Sequence, residues 1–138
     1  MFWTYEGKGV IDAPVGAIGF VYVITNEIDG RQYIGKKSLL KAKIKKSGGR
    51  NKRLKVQSDW REYWGSNKEL LADIQYYGET NFTKKILCWC KTKGDCNYLE
   101  LKEQILHGVL EHPNKYYNNY IGARIHRNHL SCNKKPSL

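Results

Sequence analysis

Two tyrosines eleven residues apart, Tyr22 and Tyr33, lie on either side of the turn dipeptide Asp29-Gly30, the first of them in an apolar, β-branched stretch. A hairpin closed at that turn sets them on adjacent strands, where both hydroxyls can reach one face. Further along, Glu100 and Glu103 are three residues apart in a helix-forming stretch and so share one side of it. Lysines and arginines crowd the exit of the hairpin. Hydroxyls and carboxylates are the types that move protons and hold cations, and ammonium groups offset negative charge. Each has a plainer use as well: a strand tyrosine usually packs against its cross-strand neighbours, and a helical glutamate usually faces water.

The elements that must position these groups follow from patterning. Residues 18–25 (IGFVYVIT) form the first strand and residues 31–35 (RQYIG) return as the second. Between Lys36 and Lys55 ten of twenty positions are Lys or Arg and none is acidic, which predicts a mobile basic loop at 36–55. A short helix is expected over Asp59–Trp64, capped by Ser58 or Asp59, with Trp60 and Trp64 as its core anchors. Lys68–Tyr77 keeps helical spacing through Leu70, Leu71, Ile74 and Tyr77, and Gly78 suits its C-terminus. Phe82–Cys90 reads as the third strand. Asn97–Leu110 reads as the last helix, with Leu99, Ile105, Leu106 and Val109 turned to the core, and Tyr116–Ile121 as an extended aromatic segment. The tail from Arg124 is basic and expected to be loose.

The 138 residues suit one domain, and 27% charged with 41% hydrophobic residues is an ordinary globular composition. Lys plus Arg exceed Asp plus Glu by 24 − 13 = 11, which points to a polyanionic partner, with nucleic acid ahead of an anionic membrane surface. The longest apolar run, Val15–Ile24, holds two glycines and is too short for a span of ~20 residues, and no signal peptide is visible, so an intracellular location is expected. There reduced thiols are expected of Cys88, Cys90, Cys96 and Cys132. Those cysteines with His126 and His129 could make a zinc set, but the C-x-C-x5-C spacing is not a standard one and structural zinc is not expected.

Phe20-Val21-Tyr22 followed by Tyr33-Ile34-Gly35 resembles the paired signature of the GIY-YIG nucleases. The likeness continues in order through Val23–Asn26, Tyr63, Gly65-Ser66-Asn67, Leu70–Gly78, Tyr98-Leu99-Glu100 and Tyr117-Asn118, spanning about residues 18–121. It is greatest for the small phage-type, homing-like members, which would place the chain in the cytoplasm of a bacterial host. The resemblance implies a single α+β domain, a small three-stranded antiparallel sheet flanked by helices, over residues 18–121. It would lie between an N-terminal extension (1–17) and a basic C-terminal tail (122–138). It implies a DNA endonuclease using one Mg²⁺ or Mn²⁺ per active site. Tyr22 then falls on the general base, Tyr33 on the group that orients water or phosphate, and Glu100 on the metal ligand, with Glu103 as the lesser alternative. Lys36 falls on a lysine following the second motif, Asn118 on a residue that shapes the site, and Tyr63 on a helix position that is tyrosine or histidine in relatives.

Three positions depart from that pattern. Phe20 and Val21 replace the usual glycine and isoleucine, and Asp59 stands where many relatives carry an arginine. Arg61 and Arg53 are equal candidates for the missing cation, and Lys37 is a third. A phenol with a reference pKa of ~10 acts as a base near neutrality only where a cation favours the phenolate, a part expected of Lys36. Lys37, Lys41, Lys43, Lys45, Lys46, Arg50, Lys52 and Lys55 are expected to bind DNA phosphates. The competing readings are a non-catalytic nucleic-acid-binding protein on a nuclease-like fold and a zinc-stabilised basic module. Monomer and homodimer both remain open.

Overall fold

A computed structural model describes residues 2–122 and 125–127. Its main sheet has five strands, ordered β2-β1-β7-β3-β4: Lys8–Gly9 (β2), Thr4–Tyr5 (β1), Phe82–Cys90 (β7), Gly19–Asn26 (β3) and Gln32–Ser38 (β4). The three long strands are those expected. The two short ones correct the three-stranded count and come from the stretch taken as an N-terminal extension. Trp3 explains their presence: its indole is 1% exposed, packs at 5.0 Å on Phe20, and donates a 2.6 Å hydrogen bond to the Trp60 carbonyl. Burying so large a side chain draws its strand alongside β7, where Thr4 and Tyr5 pair in parallel with Lys85 and Ile86.

Each face of the sheet covers its own core. One holds Trp3, Phe20, Tyr22, Ile24, Trp60, Leu70 and Phe82 under helix α1, Lys68–Tyr77. The other holds Val21, Val23, Ile34, Cys90, Cys96 and Val109 against helix α2, Lys93–Leu106. Strict alternation along β3 feeds both, as a strand buried on two faces must. Helix α1 matches its expected bounds because both ends carry strong signals. Asn67 accepts the Leu70 N–H at 2.9 Å, and Gly78 ends the helix at φ 92°, a conformation side chains with a Cβ rarely adopt.

Four expectations are corrected. The basic stretch is a two-stranded antiparallel ribbon, Leu40–Ser47 (β5) with Arg50–Gln57 (β6), turning at Gly48-Gly49. Charge masked a period-two pattern, Leu40, Ala42 and Ile44 alternating with Lys41, Lys43 and Lys45. Residues 59–64 form turns rather than a helix, with Trp60 buried and Trp64 packed on the core all the same. So short a segment cannot repay helix nucleation, and Lys84 claims two of its carbonyls, those of Arg61 and Tyr63, at 3.0 and 2.9 Å. Helix α2 begins four residues early, at a Thr92 side-chain cap, and stops at Leu106; Gly108 lies beyond it at positive φ. Ile105 and Leu106 are therefore exposed, while Cys96 and Gln104 are buried. The tail is tied down as far as it is described: Tyr120–Ile121 (β8) pairs with Ile125–His126 (β9), and Arg127 donates to the Asn118 carbonyl at 2.9 Å. His129 and Cys132 lie outside the described residues. No helix among the described residues is long and apolar enough to cross a membrane.

Candidate active site

Strand β4 is the edge of the sheet, and an edge strand carries a row of unpaired backbone groups. Here side chains and one returning segment complete that row. Gln32 exchanges backbone hydrogen bonds with Lys115 and Tyr117, each at 2.8 Å. The Asn118 amide takes the place of a missing strand at Ile34, accepting its N–H at 3.1 Å and donating to its carbonyl at 2.8 Å. Gln104 Nε2 donates to the same carbonyl at 3.1 Å. Next along the edge, the Lys36 backbone N–H and ammonium both favour the ionised Glu100 carboxylate. The Asn118 amide and Gln104 Nε2 are thus buried polar groups with partners, and their partners fix where α2 and the 116–121 segment meet the sheet.

Gly35 opens the passage between the two faces. It pairs directly with Tyr22, and a Cβ at this position would lie 2.6 Å from the Tyr22 hydroxyl. The bare backbone lets that hydroxyl reach the edge of β4, toward Glu100 on the opposite face. Tyr22, Tyr33, Lys36, Ser66, Glu100 and Gln104 line one cleft of about 620 Å³. Tyr22 and Tyr33 have ring centroids 6.2 Å apart, and Tyr63 stands edge-on to Tyr22 at 6.1 Å.

The electrostatics separate the roles of these groups. Burial, then the neighbouring Tyr33, Tyr63 and Glu100, raises Tyr22 well above the ordinary phenol value. Burial likewise pushes Tyr33 up to about 12, against a hydrogen bond from Ser66 that lowers it. Lys36 does not bring the tyrosines down as expected, because its ammonium lies on the α2 side, hydrogen-bonded to Asn97 and drawing on Glu100. Burial raises Glu100 more than that lysine and its N–H lower it. Glu100 is therefore a partly dehydrated carboxylate facing an open cleft, a place where a cation gains most. Glu103 turns away to His107, 3.5 Å from its Nδ1.

Of the three candidate cations for the missing arginine, Lys37 contacts one of the tyrosines of the site. Its ammonium sits 4.0 Å over the Tyr63 ring and pairs with Asp59 at 2.8 Å. Arg61 is not brought to the cleft: it binds Asp12 and Gln57 at 2.9 Å each and stacks on Trp60. Arg53 lies on the ribbon, exposed, with Lys41, Lys43, Lys45, Lys46, Arg50, Lys52 and Lys55. Sequence reasoning missed Ser66 and Gln104. The i, i+4 spacing from Glu100 was the signal for Gln104; Ser66 was marked only by the Gly65-Ser66-Asn67 break. Cys88, Cys90 and Cys96 meet under α2 as thiols whose ionisation burial opposes, with Cys88 pushed to about 11 and Cys90 to about 12. Among the described residues no three His, Cys, Asp or Glu side chains converge on a common metal position.

A paired-tyrosine hairpin with a helix carboxylate at its edge invites comparison with known families, and one family model matches residues 3–121, "Putative endonuclease segE, GIY-YIG domain". The chain belongs to the GIY-YIG family. The "Putative endonuclease segE" of Enterobacteria phage T4 is 34% identical over 100 residues, covering 72% of this chain. The chain spans only 39% of that relative's length. No solved structure matches. The start of the family match at residue 3 agrees with the fold, in which Trp3 belongs to the core of the GIY-YIG domain.

Proposed function

We propose that this GIY-YIG chain is a metal-dependent endonuclease that hydrolyses phosphodiester bonds in DNA, with Tyr22 as general base and Glu100 as metal ligand. The observation that carries the reading is the convergence of two tyrosines and one dehydrated carboxylate in a single cleft at the edge of β4. The donor set fits a hard divalent cation: one carboxylate, with room for the waters that Mg²⁺ or Mn²⁺ retains. Bound there, the cation would neutralise phosphate oxygens and lower the pKa of a coordinated water.

The chain's own residues supply the remainder. Lys36 holds Glu100 in place through its N–H and its charge. Tyr22 takes a proton from the attacking water, which requires its raised pKa to fall as the site assembles. Offsetting the negative charge of Glu100 works in that direction, since Glu100 is one of the groups raising it. Tyr33, a neutral phenol with a pKa of about 12, donates a hydrogen bond to water or phosphate. Lys37, over the Tyr63 ring, takes the part of the missing arginine and offsets charge in the transition state. Tyr63 orients Tyr22, and Asn118 holds the edge that orients Glu100.

The test is nicking of supercoiled plasmid with Mg²⁺, Mn²⁺ or chelator, by wild type, Tyr22→Phe and Glu100→Ala. Wild type should cut only with metal, and each variant should lose at least ~10²-fold, the typical scale of a general acid–base contribution. Intact plasmid under every metal would leave a DNA-binding protein without catalysis. Full activity in either variant would overturn its assigned role.

A further inference from the structure

The ribbon β5–β6 plays no part in the cleft, yet it carries eight of the chain's 24 Lys and Arg residues and no acid. Its register sorts them by face, because directly paired residues of an antiparallel ribbon point the same way. The pairs Lys41–Val56, Lys43–Leu54 and Lys45–Lys52, with Arg50, form one face, with five cations. The pairs Leu40–Gln57, Ala42–Lys55, Ile44–Arg53 and Lys46–Asn51 form the other, with three. All eight cationic residues are exposed, and none makes an ion pair within 4.0 Å among the described residues. At its base the ribbon is tied to the domain through Leu39, which is buried and receives the Ser58 N–H at 2.9 Å.

We propose that this ribbon is a docking arm that enters the major groove of B-form duplex DNA, presenting the face of Lys41, Lys43, Lys45, Arg50 and Lys52. The proposal rests on the DNA reading above and adds the form of nucleic acid and the mode of contact. Three features select the duplex. Eight residues per strand give an arm roughly 26 Å long, and a two-stranded ribbon fits a major groove about 12 Å wide. Leu40–Gln57 contains no aromatic side chain, so it offers no platform on which single-stranded bases could stack. The deep, narrow major groove of A-form RNA would exclude it. The five-cation face bears no Asn, Gln, Asp or Glu beside its lysines and arginine, so most of its contribution is phosphate contact with little base discrimination.

The test measures binding of the full chain in EDTA, where no cleavage occurs, by fluorescence anisotropy. The probes are a 30-bp DNA duplex, one of its strands, and an RNA duplex of the same sequence. Five phosphate contacts contribute about −4.5 to the slope of log Kobs against log salt, or about 500-fold in affinity between 50 and 200 mM. Neutralising the face (K41Q, K43Q, K45Q, R50Q and K52Q together) should remove most of that slope. K46Q, R53Q and K55Q together should remove clearly less, with both variants checked for native thermal unfolding. Dimethyl sulfate should find guanine N7 protected over the ribbon's footprint in the wild-type complex and not with the five-site variant. The proposal is overturned by an unchanged slope, by equal losses from the two faces, by equally tight binding of single strand or RNA, or by unprotected N7. Its failure stays distinct from failure of the nuclease reading. An inactive chain that binds duplex through this face sinks only the latter, and a metal-dependent nuclease indifferent to the five changes sinks only the ribbon.

Discussion

Replacing Gly35 with alanine tests the geometry of the cleft at its tightest point. The added Cβ would lie 2.6 Å from the Tyr22 hydroxyl oxygen, 2.8 Å from its Cζ and 3.0 Å from Tyr33 Cε1, where ordinary contacts begin at 3.4 Å. The shortfall at the hydroxyl is 3.4 − 2.6 = 0.8 Å, so the Tyr22 ring, Tyr33 or β4 itself must shift by most of an ångström. The ring has little freedom to retreat, since Trp3, Phe20 and Tyr63 stand 5.1, 6.0 and 6.1 Å from it. Overpacking of this kind costs ~1–3 kcal/mol, offset in part by the ~0.5–1 kcal/mol that alanine gains over glycine in a strand. Stability should therefore fall by at most about 2.5 kcal/mol, leaving the protein folded. Catalysis should suffer far more, because a misplacement near 1 Å can cost ~10²-fold in rate. Plasmid nicking under Mg²⁺ and thermal unfolding would be measured on Gly35→Ala beside Gly9→Ala, where an added Cβ meets nothing within 4 Å. A Gly35→Ala enzyme that cuts within threefold of wild type would refute the claim that this glycine lets Tyr22 reach the edge of the sheet.

Glu100→Gln should abolish metal-dependent cutting yet stabilise the fold near neutrality, because burial holds the native carboxyl above its unfolded value. The sign follows: protonation relieves the cost, so the advantage of the variant should vanish as pH falls below about 4.5, and urea titrations showing no pH-dependent difference would reject it. Asn118→Ala should cost ~1–3 kcal/mol by orphaning the Ile34 N–H, a loss that urea denaturation reads directly; a change under 0.5 kcal/mol would mean the strand-edge account is wrong. Burial lowers Lys84 to about 8, so from there to its unfolded value near 10.5 the unfolded chain binds the extra proton and stability rises with pH. The stability gap between wild type and Lys84→Met should accordingly widen between pH 8 and 10, and a constant gap would count against a buried lysine holding the turn before Gly65.

Local signals were enough for the elements whose ends and periods are unambiguous. The Asp29-Gly30 hairpin, α1 between Asn67 and Gly78, and β7 all formed where capping, turn chemistry and alternation placed them. The order of Tyr22, Tyr33, Glu100 and Asn118 along the chain likewise sufficed to identify the family. Legibility failed where a distant partner outweighed the local pattern. Trp3 adds its strand through contacts with Phe20 and Trp60, and Lys84 holds residues 61–63 out of helix by taking their carbonyls. In the ribbon, charge density hid a period-two alternation that became visible once the backbone was paired.

The sequence by itself determined the inventory of candidate site residues, because residue type and order are properties of the chain. Only the tertiary structure decided which members of that inventory meet. It set Glu100 rather than Glu103 in the cleft, since α2 must present Gln104 to the Ile34 carbonyl, and the residue one turn before it then faces the same edge. It turned Lys36 to Asn97 and left Lys37 beside Tyr63, since successive residues of a strand point to opposite faces. It also drew Arg61 to Asp12, a pairing between residues 49 positions apart that no local pattern encodes.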